Sequence, residues 1–166
     1  MLSLSGNFKS TLFVVFAAML ALSACDPKKK SLPDNSNQLG LNNGQTPGSA
    51  SDFTANVGDR VFFETDSSVI TEVGRSTLDR QAQWLQRYAN HPITVEGHAD
   101  ERGTREYNLA LGARRAEAVR DYLTSRGISR GRMRTISFGK ERPVSVCDDI
   151  SCWSQNRRAV TILSAQ

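Results

Sequence analysis

The sequence predicts a small α/β fold, and three observations carry that prediction. Short runs rich in valine, isoleucine and phenylalanine alternate with two longer runs whose apolar residues recur at helical spacing. Glycine and proline fall at the breaks between them. The 166 residues suit one domain with appendages.

The appendages come first. Met1 to Ala24 reads as a secretory signal: Lys9 supplies the positive start, and the apolar run from Leu12 to Leu22 is shorter than the roughly 20 residues of a spanning helix. The run ends in Leu22-Ser23-Ala24-Cys25, which resembles the bacterial lipobox. That resemblance implies that Cys25 is lipidated and becomes the first residue of the mature chain. Fatty-acyl chains such as palmitate, at about 0.8 kcal/mol per buried methylene, then hold the protein at a membrane. Residues 25–52 are rich in Asn, Gly, Ser, Pro and Gln and open on Lys28-Lys29-Lys30. They bury too little apolar surface to order themselves and read as a flexible tether. It reaches on the order of 90 Å at full stretch and about 30 Å as a coil. The folded domain is expected over residues 53–166.

Within that domain Arg60 to Thr65 reads as a first strand and Asp66-Ser67-Ser68 as a turn or cap. A helix is expected from about Glu72 to Ala89, with Leu78, Ala82, Leu85 and Ala89 on one face, ended by His91-Pro92. Ile93 to Gly97 is a second strand, and His98 to Gly103 a polar turn. A second helix runs from about Arg105 to Ser125, with Leu111, Ala118, Val119, Tyr122 and Leu123 as its stripe. Met133 to Phe138 is a third strand. A loop holding Gly139, Pro143 and two cysteines follows. Ser154 to Arg158 reads as a short helical turn, and Ala159 to Leu163 closes as a fourth strand. The order is βαβαβ, a short helix and a last strand, which suggests a small α/β sandwich.

Export places the chain in an oxidising compartment. With Cys25 lipidated, Cys147 and Cys152 leave one pairing, a disulfide closing a small loop; a metal site would need two further ligands nearby. The formal charge is +4, falling to +3 when Lys9 leaves with the signal. Basic and acidic residues are interleaved, and the chain is exported, so nucleic acid is not an expected partner. Arg157-Arg158 and the arginines at 130, 132 and 134 read as solvated faces or strand-end contacts.

One constellation stands apart. Arg115 lies four residues after Leu111 and three before Ala118, on or beside the apolar stripe. A guanidinium there requires a carboxylate or ordered acceptors. Asp100, in the loop leading into that helix, can meet it at one rim of the sheet. Two readings follow. Asp100 and Arg115 form a structural salt bridge, or they share a zwitterionic ligand, Arg115 holding a carboxylate through its planar fork and Asp100 an ammonium.

The stretch Gly97-His98-Ala99-Asp100-Glu101-Arg102-Gly103-Thr104 is followed by Asn108-Leu109-Ala110-Leu111-Gly112-Ala113-Arg114-Arg115-Ala116. Phe62-Phe63-Glu64-Thr65-Asp66 precedes them, and Cys152-Trp153-Ser154-Gln155-Asn156-Arg157-Arg158-Ala159-Val160 comes after. Together these resemble the OmpA-like peptidoglycan-binding domain, over roughly Phe53 to Leu163. The resemblance implies a small OmpA-like sandwich with a mixed four-stranded sheet packed against helices. It implies non-covalent binding of the diaminopimelate stem peptide of peptidoglycan, with Asp100 on the ammonium and Arg115 on the carboxylate. It further implies a main-chain contact at Asp66 and pocket-lining positions at Arg102, Thr104 and Leu111. Thr65 stands where relatives often carry an aromatic residue, so one apolar contact is altered. The Tol system, with TolB as partner, and the periplasmic face of the outer membrane are implied by the same resemblance, although Asp26 resembles an inner-membrane retention signal.

An enzyme is the rival reading. Glu96, His98 and Asp100 alternate and could share one face as metal ligands or an acid–base set. Two histidines, His91 and His98, and no nucleophile with an evident base give that reading little support, so neither catalysis nor a cofactor is expected.

Overall fold

A computed structural model describes residues 46–164. The signal at 1–24, Cys25, Asp26 and the tether up to residue 45 lie outside the described residues. Among the described residues no helix is long and apolar enough to cross a membrane.

The elements run in the expected order. After a short helix α1 (Ala50–Asp52) and a π-helical turn (Phe53–Val57) come β1 (Arg60–Phe62), α2 (Glu72–Arg87), β2 (Ile93–His98), α3 (Arg105–Ser125), β3 (Met133–Gly139), α4 (Ile150–Asn156) and β4 (Arg158–Leu163). The sheet order is β1-β4-β2-β3. β4 is antiparallel to both its neighbours, and β2 runs parallel to β3, so the sheet is mixed and the last strand is central.

Period-two alternation sorts the strand residues between two faces. Val61, Ile93, Val95, Met133 and Ala159 join Leu78, Leu85, Ala116, Val119 and Leu123 of the helices in one core. The intervening positions, such as Phe62 and Ile162, lie on the other face of the sheet. Each long helix starts at a threonine that accepts a backbone N–H. Thr71 takes Gly74 N at 3.1 Å, and Thr104 takes Tyr107 N at 3.2 Å; both satisfy donors the helix cannot. At the far end of α2 the Arg132 guanidinium donates to the carbonyls of Leu85, Tyr88 and His91, where a cation also suits the helix dipole.

Several boundaries differ from expectation for definable reasons. The predicted tether ends inside a packed segment. Asp52 accepts the Trp84 indole N–H at 2.9 Å, because a buried indole requires an acceptor; the segment from Ser49 onwards is therefore folded. β1 stops at Phe62, although Phe63 N still donates to Arg157 O at 2.9 Å. Asp66 lies in a turn, one of the two roles expected of it, at φ 56°. α2 ends before Tyr88, which leaves Ala89 exposed, and Trp84 takes up the core instead. On α3 Ala116 is fully buried while Ala118 and Tyr122 are only partly so. The short helix falls over Ile150–Asn156, earlier than Ser154, because Asp149 caps it through Ser151 N at 2.7 Å. The Cys147–Cys152 disulfide is present, with a Cα separation of 5.6 Å.

One contact sets how α3 lies on the sheet. A Cβ on Gly97 would fall 1.8 Å from the Gly112 carbonyl oxygen, and one on Gly112 would fall 2.4 Å from Ser137 Oγ. Backbone rests on backbone here, which only glycine allows. Gly97→Ala is expected to cost about 3 kcal/mol or more, at the upper end of overpacking effects, because the obstructing atom is main chain. Urea denaturation monitored by circular dichroism measures this. A wild-type midpoint would mean that the helix can move away freely.

Candidate functional site

The loop between β2 and α3 carries the charges singled out in the sequence, and its backbone is pinned from several sides. Ala99 N donates to Gly139 O at 2.8 Å. Lys140 Nζ donates to the carbonyls of Glu101 and Gly103 at 3.0 and 2.7 Å. The buried Asn108 side chain donates to Arg102 O at 2.7 Å. These contacts turn Asp100 and Arg102 to one side, into a cleft of about 260 Å³. Thr65, Asp66 and Leu111 line the same cleft, so five of the seven binding residues named from sequence meet in one place. Gly103, Tyr107 and Asn108 complete the wall.

Thr104 and Arg115 sit elsewhere. Thr104 is exposed at the cleft edge with its hydroxyl engaged as the α3 cap. Arg115 lies behind the wall, 0% exposed. Its Nε donates to Ser67 O at 2.8 Å, Nη1 to His98 O at 2.7 Å and Nη2 to Glu64 O at 3.2 Å. Its guanidinium lies over the Phe63 ring at 5.2 Å. The three carbonyls come from the end of β2 and from the turn after β1. Three of the five N–H donors of a guanidinium are thus engaged, all by neutral acceptors. Burial drives the Arg115 pKa down to about 10, offset by the nearby Asp100 charge, and it stays cationic at neutral pH.

The structural salt bridge between Asp100 and Arg115 does not form. Among the described ion pairs Asp100 takes Arg102, at 2.7 Å between Oδ2 and Nη2 and 3.2 Å between Oδ1 and Nε, and Arg157, at 3.4 Å. Burial raises the Asp100 pKa, but the hydrogen bonds from Arg102, its charge and the Arg157 contact outweigh that and hold the carboxyl below its ordinary value. Arg157 and Arg158 are each only 5% exposed, so of the two expectations the solvated face is not found and the contact at the strand end is. Arg157 also donates to Phe63 O at 3.0 Å. Its burial follows from the central place of β4, which the sequence alone does not reveal.

Asp66 accepts the Tyr107 hydroxyl. Its positive φ of 56° belongs to the left-handed region that aspartate enters more readily than most residues, and it turns the chain over the mouth of the cleft. The phenol pKa of Tyr107 is raised, first by this bond. Beside the loop, the Trp153 indole donates to Glu101 Oε1, and its ring lies 4.2 Å from the Arg102 guanidinium.

The alternation of Glu96, His98 and Asp100 does not build one site. Glu96 Oε2 approaches His98 Nε2 at 3.5 Å, while Asp100 faces the cleft. His98 is 2% exposed, stacks on Phe138, and neither ring nitrogen has a hydrogen-bond partner. Burial first, then the charges of Arg158 and Arg142, push its pKa down to about 4, so the imidazole is neutral at pH 7. Among the described residues no group of three or more His, Cys, Asp or Glu side chains is placed to hold a metal ion.

The His98 shift sets a stability profile. A histidine with a depressed folded pKa binds fewer protons folded than unfolded. Its contribution is complete above about pH 6.5 and falls as pH drops towards 4, by about 3 kcal/mol at most. Denaturation midpoints between pH 7 and 4 are expected to fall accordingly, and His98→Phe, which keeps the stacking, should flatten the slope. An equal slope in the variant would assign the effect to other groups.

The family described as the OmpA family matches residues 62–157. A peptidoglycan-associated lipoprotein of Rhizobium meliloti (strain 1021) is 64% identical over 156 residues, covering 93% of this chain and 88% of that one. The crystal structure of the peptidoglycan-associated lipoprotein from Burkholderia pseudomallei superposes with a TM-score of 0.66 at 37% identity, covering 70% of this chain and all of that one. The C-terminal domain of Helicobacter pylori MotB, at 24% identity and a TM-score of 0.61 over 65% of this chain and 85% of that one, shares the fold alone.

Proposed function

This chain belongs to the OmpA family, and from that premise we propose that it is a lipid-anchored binding protein that ties the outer membrane to peptidoglycan by holding the diaminopimelate of the stem peptide. The family is one of binding proteins, not of enzymes. The names of the relatives support the wall as ligand. The observation that carries the finer reading is the separation of charge at the cleft. Asp100 lines it as an ionised carboxylate held by Arg102 and Arg157. Arg115 is a buried cation whose direct partners are all neutral carbonyls.

A diaminopimelate side chain ends in an ammonium and a carboxylate on one carbon. Its ammonium would meet Asp100, and its carboxylate would be drawn towards the charge of Arg115, which lies behind the cleft wall with only neutral carbonyls as direct partners. Asp66, Tyr107 and Leu111 would border the ligand, Arg102 would hold Asp100 in place, and Thr65 would leave that rim polar. Lysine, the alternative at that stem position, lacks the second carboxylate and would leave Arg115 without an anion. Outer-membrane placement through Cys25, and membership of the Tol–Pal system with TolB as partner in envelope integrity and division, belong to the same reading.

The test is co-sedimentation of the detergent-solubilised full-length chain with purified diaminopimelate-type and lysine-type walls. Asp100→Asn keeps the shape and removes the charge. It is expected to weaken binding to the first wall about tenfold or more, the worth of a charge-assisted hydrogen bond, with its circular dichroism unchanged. The wild type should prefer the diaminopimelate wall. A folded Asp100→Asn chain that binds as the wild type does would overturn the assignment of the ammonium to Asp100. Equal binding to both walls would remove the case for a zwitterion.

A further inference from the structure

Trp153 lies outside the cleft, yet it grips the cleft loop at two successive residues. Its indole N–H is bonded to Glu101, and its ring face carries the guanidinium of Arg102 at 4.2 Å. Arg102 is 40% exposed in its side chain, and an exposed arginine keeps one rotamer only when something fixes it. Here the edge of the guanidinium is committed to both oxygens of Asp100 and its flat face to the indole. Trp153 is itself fixed. It sits on α4, whose first turn is capped by Asp149, and the residue before it, Cys152, is tied to Cys147. Arg102 Nε also bonds the oxygen of Asp100 that accepts the Arg102 backbone N–H, so rotation of the guanidinium would turn the carboxylate with it.

We propose that Trp153 is a positioning residue for ligand binding: by stacking on Arg102 it holds the Asp100 carboxylate at the angle that receives the ligand's ammonium. This rests on the reading of Asp100 given above. A freed Arg102 would sample solvent, and Asp100 would lose part of the hydrogen bonding that lowers its pKa.

Two measurements on the full-length chain in detergent test this. The first is calorimetric binding of a soluble tripeptide ending in diaminopimelate to Trp153→Leu, Arg102→Leu and the double variant. Trp153→Leu is expected to weaken binding by about tenfold, the scale of one charge-assisted contact, and Trp153→Phe, which keeps a ring face, by much less. Because Trp153 acts through Arg102, the double variant should bind about as Arg102→Leu does, whereas independent effects would multiply. Multiplying effects, or a folded Trp153→Leu that binds as the wild type does, would overturn the proposal.

The second measurement needs no ligand. The Asp100 side-chain carbonyl is titrated by NMR, with a midpoint below ordinary aspartate in the wild type and a higher one in Trp153→Leu. Arg102→Lys keeps the charge but has no planar face, so it should raise the midpoint too without touching α4, which keeps the test open if Trp153→Leu does not fold. Midpoints unmoved in both variants would overturn the positioning role. Moved midpoints in a chain whose wild type does not bind the tripeptide would instead count against diaminopimelate as the ligand and leave the Trp153–Arg102 coupling standing.

Discussion

A single buried guanidinium ties the two halves of the fold together. Arg115 projects from the middle of α3 with no solvent contact, and a charge taken out of water must be met by fixed dipoles or an anion. Its partners are the carbonyls of Glu64 and Ser67 after β1 and of His98 at the end of β2. These belong to segments far apart in the chain, so the turn after β1 can close over the end of the sheet only while Arg115 stands beneath it. The same demand explains the glycine contact. Three residues earlier on α3 Gly112 lies against Gly97, and that close approach brings the Arg115 side chain within reach of the carbonyl of the next residue on β2, His98.

The second constraint is the sheet order. With β4 inserted between β1 and β2, the residues that enter the last strand are covered on both sides. Arg157 is therefore drawn into the interior, where it meets Phe63 O and Asp100. Arg158 follows it, and its charge helps to keep the neighbouring His98 neutral. A dibasic pair that would be unremarkable on an edge strand becomes part of the electrostatic frame of the cleft when its strand is central.

These two constraints also decide what could be read from sequence. Element order was legible, because helical and strand periodicities are local and the breaks carry Gly and Pro. Arg115 was legible because a charge four residues after Leu111 and three before Ala118 contradicts its own stripe. Asp100 was legible as its neighbour because one loop joins β2 to α3. The partners each one takes were not. Which acceptors reach Arg115 depends on the turn at Glu64 to Ser67, some fifty residues away in the chain, and the pairing of Asp100 with Arg157 depends on the place of β4 in the sheet. Ala89 failed as a core residue because the helix ended two residues early, at Arg87. Tyr107 and Asn108 escaped notice because polar residues in the first turn of a helix ordinarily face water, and here the cleft lies over that turn.

The arrangement also accounts for why opposite charges so close together have not collapsed onto each other. An arginine and an aspartate free to approach would neutralise one another and leave nothing for a ligand. Here each is held by something else: Arg115 by three carbonyls, Asp100 by Arg102 and Arg157. The carbonyls satisfy the hydrogen bonds of Arg115 without cancelling its charge. The two cations keep Asp100 ionised while leaving its carboxylate on the cleft wall. On the proposed reading, a zwitterion then enters a site whose charges are already in position and need not be pulled apart, so little of its binding energy is spent on reorganisation. A ligand with the ammonium but no carboxylate would leave Arg115 as the site left it, desolvated and with only neutral carbonyls bonded to it. On the proposed reading, that difference would be the physical basis for discrimination between diaminopimelate and lysine, and it would depend on the same buried guanidinium that holds the fold together.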